Sequence, residues 1–186
     1  MKRIFAAIRT EPGDDFLLAF RHLKNRLSGE SIKWVEEENL HLTLKFFGET
    51  DERLVPGISD SLSLVCSGVP SFSLRLKGIG IFGSRYQPRV VWSGIDPYDK
   101  LVELMKKVQK EMVNHGFEAD RQNTVPHLTL GRIKMLRDAV IFHREIEAAG
   151  RISSGSIPVS ECILYESILG KSGPRYLVLK KFTFGK

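Results

Sequence analysis

His41-Leu42-Thr43-Leu44 recurs letter for letter as His127-Leu128-Thr129-Leu130, 86 positions later (127 against 41). The chain holds only five histidines, so two in identical contexts point to an internal duplication. Each copy is preceded by an apolar residue or a proline, Leu40 or Pro126, and each is followed by a predicted helix. Along a strand, successive side chains point to opposite faces. His41 and Thr43 therefore share one face while Leu42 and Leu44 share the other, and the second copy repeats the division. The leucines anchor each strand in a core. Two such strands facing one another build a groove on which two imidazoles and two hydroxyls converge.

The flanking sequence reads as strands and helices with no linker. Residues 2–9 form an apolar strand. Thr10 is placed to cap a helix with Pro12 in its first turn, and Phe16, Phe20, Leu23 and Leu27 recur at helical spacing until Gly29. Residues 32–35 and 40–47 read as strands. Asp51 opens a second helix with Ile58, Leu62 and Val65 on one face. Phe72, Leu74 and Leu76 alternate as in a half-buried strand. The glycine-rich run 78–83 lacks the helix and GK[ST] of a phosphate loop. Residues 90–92 are a strand. Pro97 starts a helix carrying Leu101, Leu104, Met105, Val108 and Met112, which Gly116 closes. Residues 125–133 return to strand, 136–149 to helix, and 161–167 and 176–184 are two final strands. The sum is an α+β chain with largely antiparallel sheets, expected as one two-lobed domain over 1–186.

Composition sets limits. At 186 residues and 42% hydrophobic, the chain can bury a sizeable core without disulfides or metal. No apolar run reaches the roughly 20 residues of a membrane helix, and the apolar stretch at 4–8 is too short for a secretory signal. A cytoplasmic monomer is expected, with no membrane partner. Lys and Arg number 28 against 22 Asp and Glu, a net charge of +6. That balance attracts anionic, phosphate-bearing ligands, although it also serves solubility. Cys66 and Cys162 sit in neither CxxC nor CxxH, and read as two buried thiols with no zinc and no redox role.

The repeated pair suits phosphodiester chemistry without a metal. Displacement at phosphorus needs one group to take a proton from the nucleophile and another to give one to the leaving oxygen in line with it. Histidine serves either purpose near neutral pH. Threonine hydroxyls can donate to the non-bridging oxygens as charge builds there. One HLTL alone would be read as an ordinary strand, since threonine favours strands and histidine often makes structural hydrogen bonds. A zinc pair would want a third ligand, and no HxH, HExxH or acidic cluster adjoins either motif. No cofactor is expected. His22, His115 and His143 lack the motif and read as surface or capping residues.

Two HxTx motifs at this separation make the chain resemble the two-histidine phosphoesterases, and among them the RNA 2′,3′-cyclic phosphodiesterases, also described as 2′-5′ RNA ligases. The resemblance extends over nearly the whole chain, including residues 32–48, 78–94, 116–132 and 164–167. It implies a bilobal, pseudo-twofold α+β fold around a central groove. It also implies hydrolysis of a 2′,3′-cyclic phosphate at an RNA 3′ end to a 2′-phosphomonoester, with an RNA or oligonucleotide as partner. By motif, His41 would be the proton donor to the 3′ oxygen and His127 the proton acceptor that activates water. Thr43 and Thr129 would bind the phosphate. Phe46 and Arg132, each five residues after its histidine, would stack on a base and bind phosphate. Strict alternation places that odd offset on the leucine face, so a bulge, a strand end or a structural role is needed there. Thr124 and Val125 stand where the resemblance leads one to expect an aromatic residue and an arginine. Ligation by the reverse reaction, or nucleotide binding without catalysis, are the alternative activities.

Overall fold

The structure is a computed structural model and describes residues 1–118, 125–170 and 173–185. Two sheets organise them. The first contains β1 (Lys2–Arg9), β3 (His41–Thr50), β8 (Glu161–Leu169) and β9 (Pro174–Thr183), in the order β3-β1-β8-β9. The second contains β2 (Ser31–Trp34), β4 (Phe72–Gly83), β5 (Pro88–Asp96), β6 (Leu128–Met135) and β7 (Ile157–Val159), in the order β2-β6-β5-β4-β7. Every strand pairing is antiparallel. The helices are α1 (Asp14–Arg26), α2 (Val55–Ser67), α3 (Asp99–Val113) and α4 (Ala139–Ala148). The α+β class with antiparallel sheets is as the sequence indicates. Among the described residues no helix is long and apolar enough to cross a membrane.

Helix faces follow the apolar spacing, while helix starts follow local chemistry. In α1 the buried residues are Phe16, Phe20 and Leu23. Its cap is Gly13, not Thr10. The Thr10 N–H is held by the Leu40 carbonyl at 3.3 Å, which prolongs the pairing of Arg9 with His41 and keeps the chain extended past Thr10. Asp14 and Asp15 then meet the positive end of the helix, and Lys24 and Arg26 the negative end. α1 ends at Arg26, before Gly29. Asp51 caps a short 3-10 turn (Glu52–Leu54) that leads into α2. Asp138 accepts the Ile141 N–H at 2.9 Å and sets the start of α4, three residues after position 136. Gly116, at φ 82°, turns the chain out of α3.

The glycine-rich run is the second half of the long strand β4. A Cβ on Gly80 would stand 2.7 Å from the Trp92 ring, so the glycine lets the indole lie flat across the strand. The short strand β7 carries too few residues to show a pattern. It pairs with Phe72–Leu74 at the sheet edge.

One apolar core runs through both sheets, with Leu42, Leu44, Leu128 and Leu130 in it. Neither sheet is the product of one half of the chain. β2 joins the second sheet through Ile32, Lys33 and Trp34, paired with Ile133, Arg132 and Gly131. β8 and β9 return to the first sheet, and β8 pairs with β1. Cys66 of α2 and Cys162 of β8 are free and buried. The neighbouring Cys66 and burial push the Cys162 thiol well above the ordinary cysteine range.

Candidate active site

β3 belongs to the first sheet and β6 to the second, and the two strands come into contact. Between them lies a cavity of about 370 Å³ whose lining includes His41, Thr43, Phe46, His127, Thr129 and Arg132. All six residues singled out from the sequence thus meet at one place.

The register explains how an odd offset reaches the groove. In the β1–β3 pair, Ala6 faces Lys45 and Ala7 faces Thr43, so Leu44 has no partner. Leu44 and Lys45 are consecutive and both buried. In the β5–β6 pair, Trp92 faces Thr129 and Val91 faces Gly131, so Leu130 is skipped. Leu130 and Gly131 are likewise both buried. Each strand carries a bulge just after its HLTL, the pleat changes phase, and the fifth residue after each histidine returns to the groove face. A Cβ on Gly131 would lie 2.8 Å from the Trp34 ring and 2.9 Å from Ile32, so only glycine fits the second bulge. At the first, the buried Lys45 donates to the Glu118 carbonyl at 2.6 Å. Phe46 is a groove residue, 40% exposed, with the Arg3 guanidinium 4.7 Å above its ring.

The imidazoles are held alike. His41 Nδ1 lies 2.7 Å from the Asn39 carbonyl, and His127 Nδ1 lies 2.9 Å from the Val125 carbonyl. A carbonyl only accepts, so Nδ1 carries the proton and Nε2 is the atom left to the cavity. In each case the partner is the residue two before the histidine. Val125 therefore contributes its main chain and a wall of the cavity. Thr124 lies outside the described residues. No hydrogen bond to another described group engages the Thr43 or Thr129 hydroxyl.

The ring environments differ. His41 packs between Phe5, with centroids 4.9 Å apart, and Tyr176, edge-on at 5.3 Å. His127 meets Phe82 edge-on at 4.7 Å, and Phe82 in turn stacks on Trp92. Burial pushes both imidazoles below the ordinary histidine range. The backbone hydrogen bonds oppose this, and the Arg132 charge adds to the depression. Among the described residues no group of three or more His, Cys, Asp or Glu could hold a metal ion.

Phe5, Phe82 and Tyr176 were not foreseen. The run at 4–8 is uninterruptedly apolar, which marks a strand covered on both faces. One of those faces is the small cluster of Phe5, Ala7, Ile163 and Tyr165 beneath His41. Of the remaining histidines, His115 meets Ser61 at 2.9 Å, His143 meets the Arg85 carbonyl at 2.8 Å, and His22 is exposed.

Comparison with known proteins places this geometry. The sequence profile of the LigT like phosphoesterase family matches residues 8–92 and 95–176. An RNA 2′,3′-cyclic phosphodiesterase of Thermotoga maritima is 37% identical over 156 residues, covering 84% of this chain and 81% of the relative. A solved protein of Thermus thermophilus superposes with a TM-score of 0.78 at 26% identity, over 99% of both chains. Escherichia coli LigT, solved with 3′-AMP, superposes with a TM-score of 0.74 at 25% identity, over 100% of this chain and 99% of its own.

Proposed function

The chain belongs to the LigT like phosphoesterase family, and from that membership we propose that it is an RNA 2′,3′-cyclic phosphodiesterase. It opens a cyclic phosphate at an RNA 3′ end to a 2′-phosphomonoester. The relative named for this activity matches most of the chain. The single observation that carries the mechanism is the matched tethering of the two imidazoles. Each Nδ1 is spent on the carbonyl two residues back, so both Nε2 atoms serve one cavity from opposite sheets.

In this mechanism neutral His127 takes a proton from water through Nε2 as the oxygen attacks phosphorus. The P–O3′ bond breaks, and protonated His41 gives its Nε2 proton to the departing 3′ oxygen. The charges of the two imidazoles are then exchanged, and solvent restores them. Each transfer contributes about 10²- to 10⁴-fold. Thr43 and Thr129 donate to the non-bridging oxygens, Arg132 attracts the phosphate, and Phe46 offers a face to a base. The two sheets act as lobes of a single domain over 1–186.

The test is incubation of the purified protein with a nucleoside 2′,3′-cyclic phosphate in excess chelator, with the product isomer identified by ³¹P NMR. Formation of the 2′-phosphate supports the reading. A 3′-phosphate would mean that the P–O2′ bond breaks instead, and would refute the assignment of the 3′ oxygen as leaving group. No turnover, or turnover only on adding a divalent ion, would refute the mechanism.

A further inference from the structure

We propose that a second cleft, sharing Arg132 with the active-site cavity, binds the single-stranded RNA that precedes the cyclic end. The proposal rests on the phosphodiesterase reading and extends it from the reacting phosphate to the strand.

β5 and β6 pair from Ser93 and Leu128 to Val90 and Arg132, and their pairing stops there. Beyond that point residues 86–90 and 132–136 line an open cleft of about 740 Å³, with Ala139 of α4 also in its lining. Arg132 lines this cleft and the catalytic cavity alike, so the two adjoin at that residue.

The lining has the chemistry of a single-strand site. Tyr86 is 93% exposed, an aromatic face with nothing stacked on it among the described residues. Arg89, Arg132 and Lys134 are exposed and also line the cleft, and among the described residues no acidic one does. Arg132 and Lys134 lie on either side of Ile133, which packs against the core, and so share a face. They stand about 6.6 Å apart along the strand, close to the separation of successive phosphates on an extended chain. Lys33 faces Arg132 across the β2–β6 pair and widens the basic strip. None of these four cations forms an ion pair with a described residue. Aromatic faces for bases and mobile cations for phosphates are what sequence-tolerant binding of single strands requires.

The experiment compares a nucleoside 2′,3′-cyclic phosphate with a tetranucleotide ending in the same group. The proteins are the wild type, Tyr86→Ala and the double variant Arg89→Ala/Lys134→Ala. The wild type should favour the tetranucleotide at least tenfold in kcat/KM. Tyr86→Ala should lose about tenfold or more on the tetranucleotide and stay within twofold on the mononucleotide. The double variant should lower the salt dependence of tetranucleotide KM by about 0.7 in log–log slope for each phosphate contact removed. Absence of a length preference in the wild type, or its survival in both variants, overturns the subsite. Equal loss on both substrates does so too. Anisotropy titration with a labelled tetranucleotide ending in a 2′-phosphate reads the cleft without catalysis, and unchanged affinity in both variants overturns the proposal. Absence of turnover with cleft-dependent binding retained would instead count against the phosphodiesterase reading alone.

Discussion

His41 and His127 stand in identical tetrapeptides but in different aromatic settings, and both are less basic than a histidine in water. Burial is the main cause, and the Arg132 charge adds to it. In the free protein the two-histidine bell in kcat/KM should therefore centre on the acid side of 6.5. An anionic substrate between the rings stabilises the imidazolium, so the bell in kcat should lie at higher pH. Coincident profiles, or a shift the other way, would contradict this assignment. Arg132→Gln should raise both imidazole pKa values in an NMR titration, since it removes a positive neighbour. For stability the sign is fixed: below about 6.5 the unfolded chain binds protons that the folded histidines resist, so acidification through that range lowers stability. His41→Ala or His127→Ala should cost orders of magnitude in kcat while leaving the melting temperature within a few degrees. Near-full activity in either variant would remove that histidine from the mechanism. Thr43→Val or Thr129→Val keeps the shape of the strand and removes a donor. Losing one hydrogen bond to a charged oxygen is worth about 1.5–3 kcal/mol, roughly ten- to a hundredfold in rate, and unaltered kinetics would show that these hydroxyls do not touch the phosphate.

At the scale of the strand, the bulges decide which residues reach the groove. The alternation within each HLTL is legible from four letters, and the structure keeps it. The offset of five is not, because a bulge changes the phase of the pleat without changing composition. Strict alternation puts Phe46 on the leucine face; with Leu44 skipped, it faces the groove. Helix faces were legible because apolar spacing records burial directly. The start of α1 was not, because the Thr10 N–H bonds to Leu40, far along the chain. In the second bulge, Gly131→Ala would push a methyl group into Trp34 and Ile32. Overpacking of this kind costs about 1–3 kcal/mol, so the melting temperature should fall by several degrees, and KM should rise as Arg132 is displaced. Gly155→Ala, with nothing within 4 Å of the added carbon, is the control and should leave both unchanged. If Gly131→Ala behaved like the control, the bulge would not depend on the missing Cβ.

Across the whole molecule, the duplication does not give two independent halves. β2 leaves the first half of the chain to pair with β6 in the second sheet, while β8 and β9 come back from the C-terminal end to complete the first. Phe20 of α1 packs edge-on against Trp34 of β2 at 5.7 Å, and α1 also contacts α4. Unravelling either sheet therefore strips packed side chains from the core it shares with the other. The groove depends on this interlock, since each sheet supplies one histidine and a relative slip of the sheets would separate the two imidazoles. The chain should accordingly unfold as one cooperative unit. Its two tryptophans provide a selective probe, because Trp34 and Trp92 both lie in the second sheet. In a urea titration their fluorescence follows that sheet and the α1 side chain packed on it, whereas far-ultraviolet circular dichroism follows both sheets and all the helices. The two midpoints should coincide, and loss of phosphodiesterase activity should not precede them. Two separated midpoints would mean that each sheet folds independently, and the paired histidines would then be held by docking of lobes rather than by a shared core.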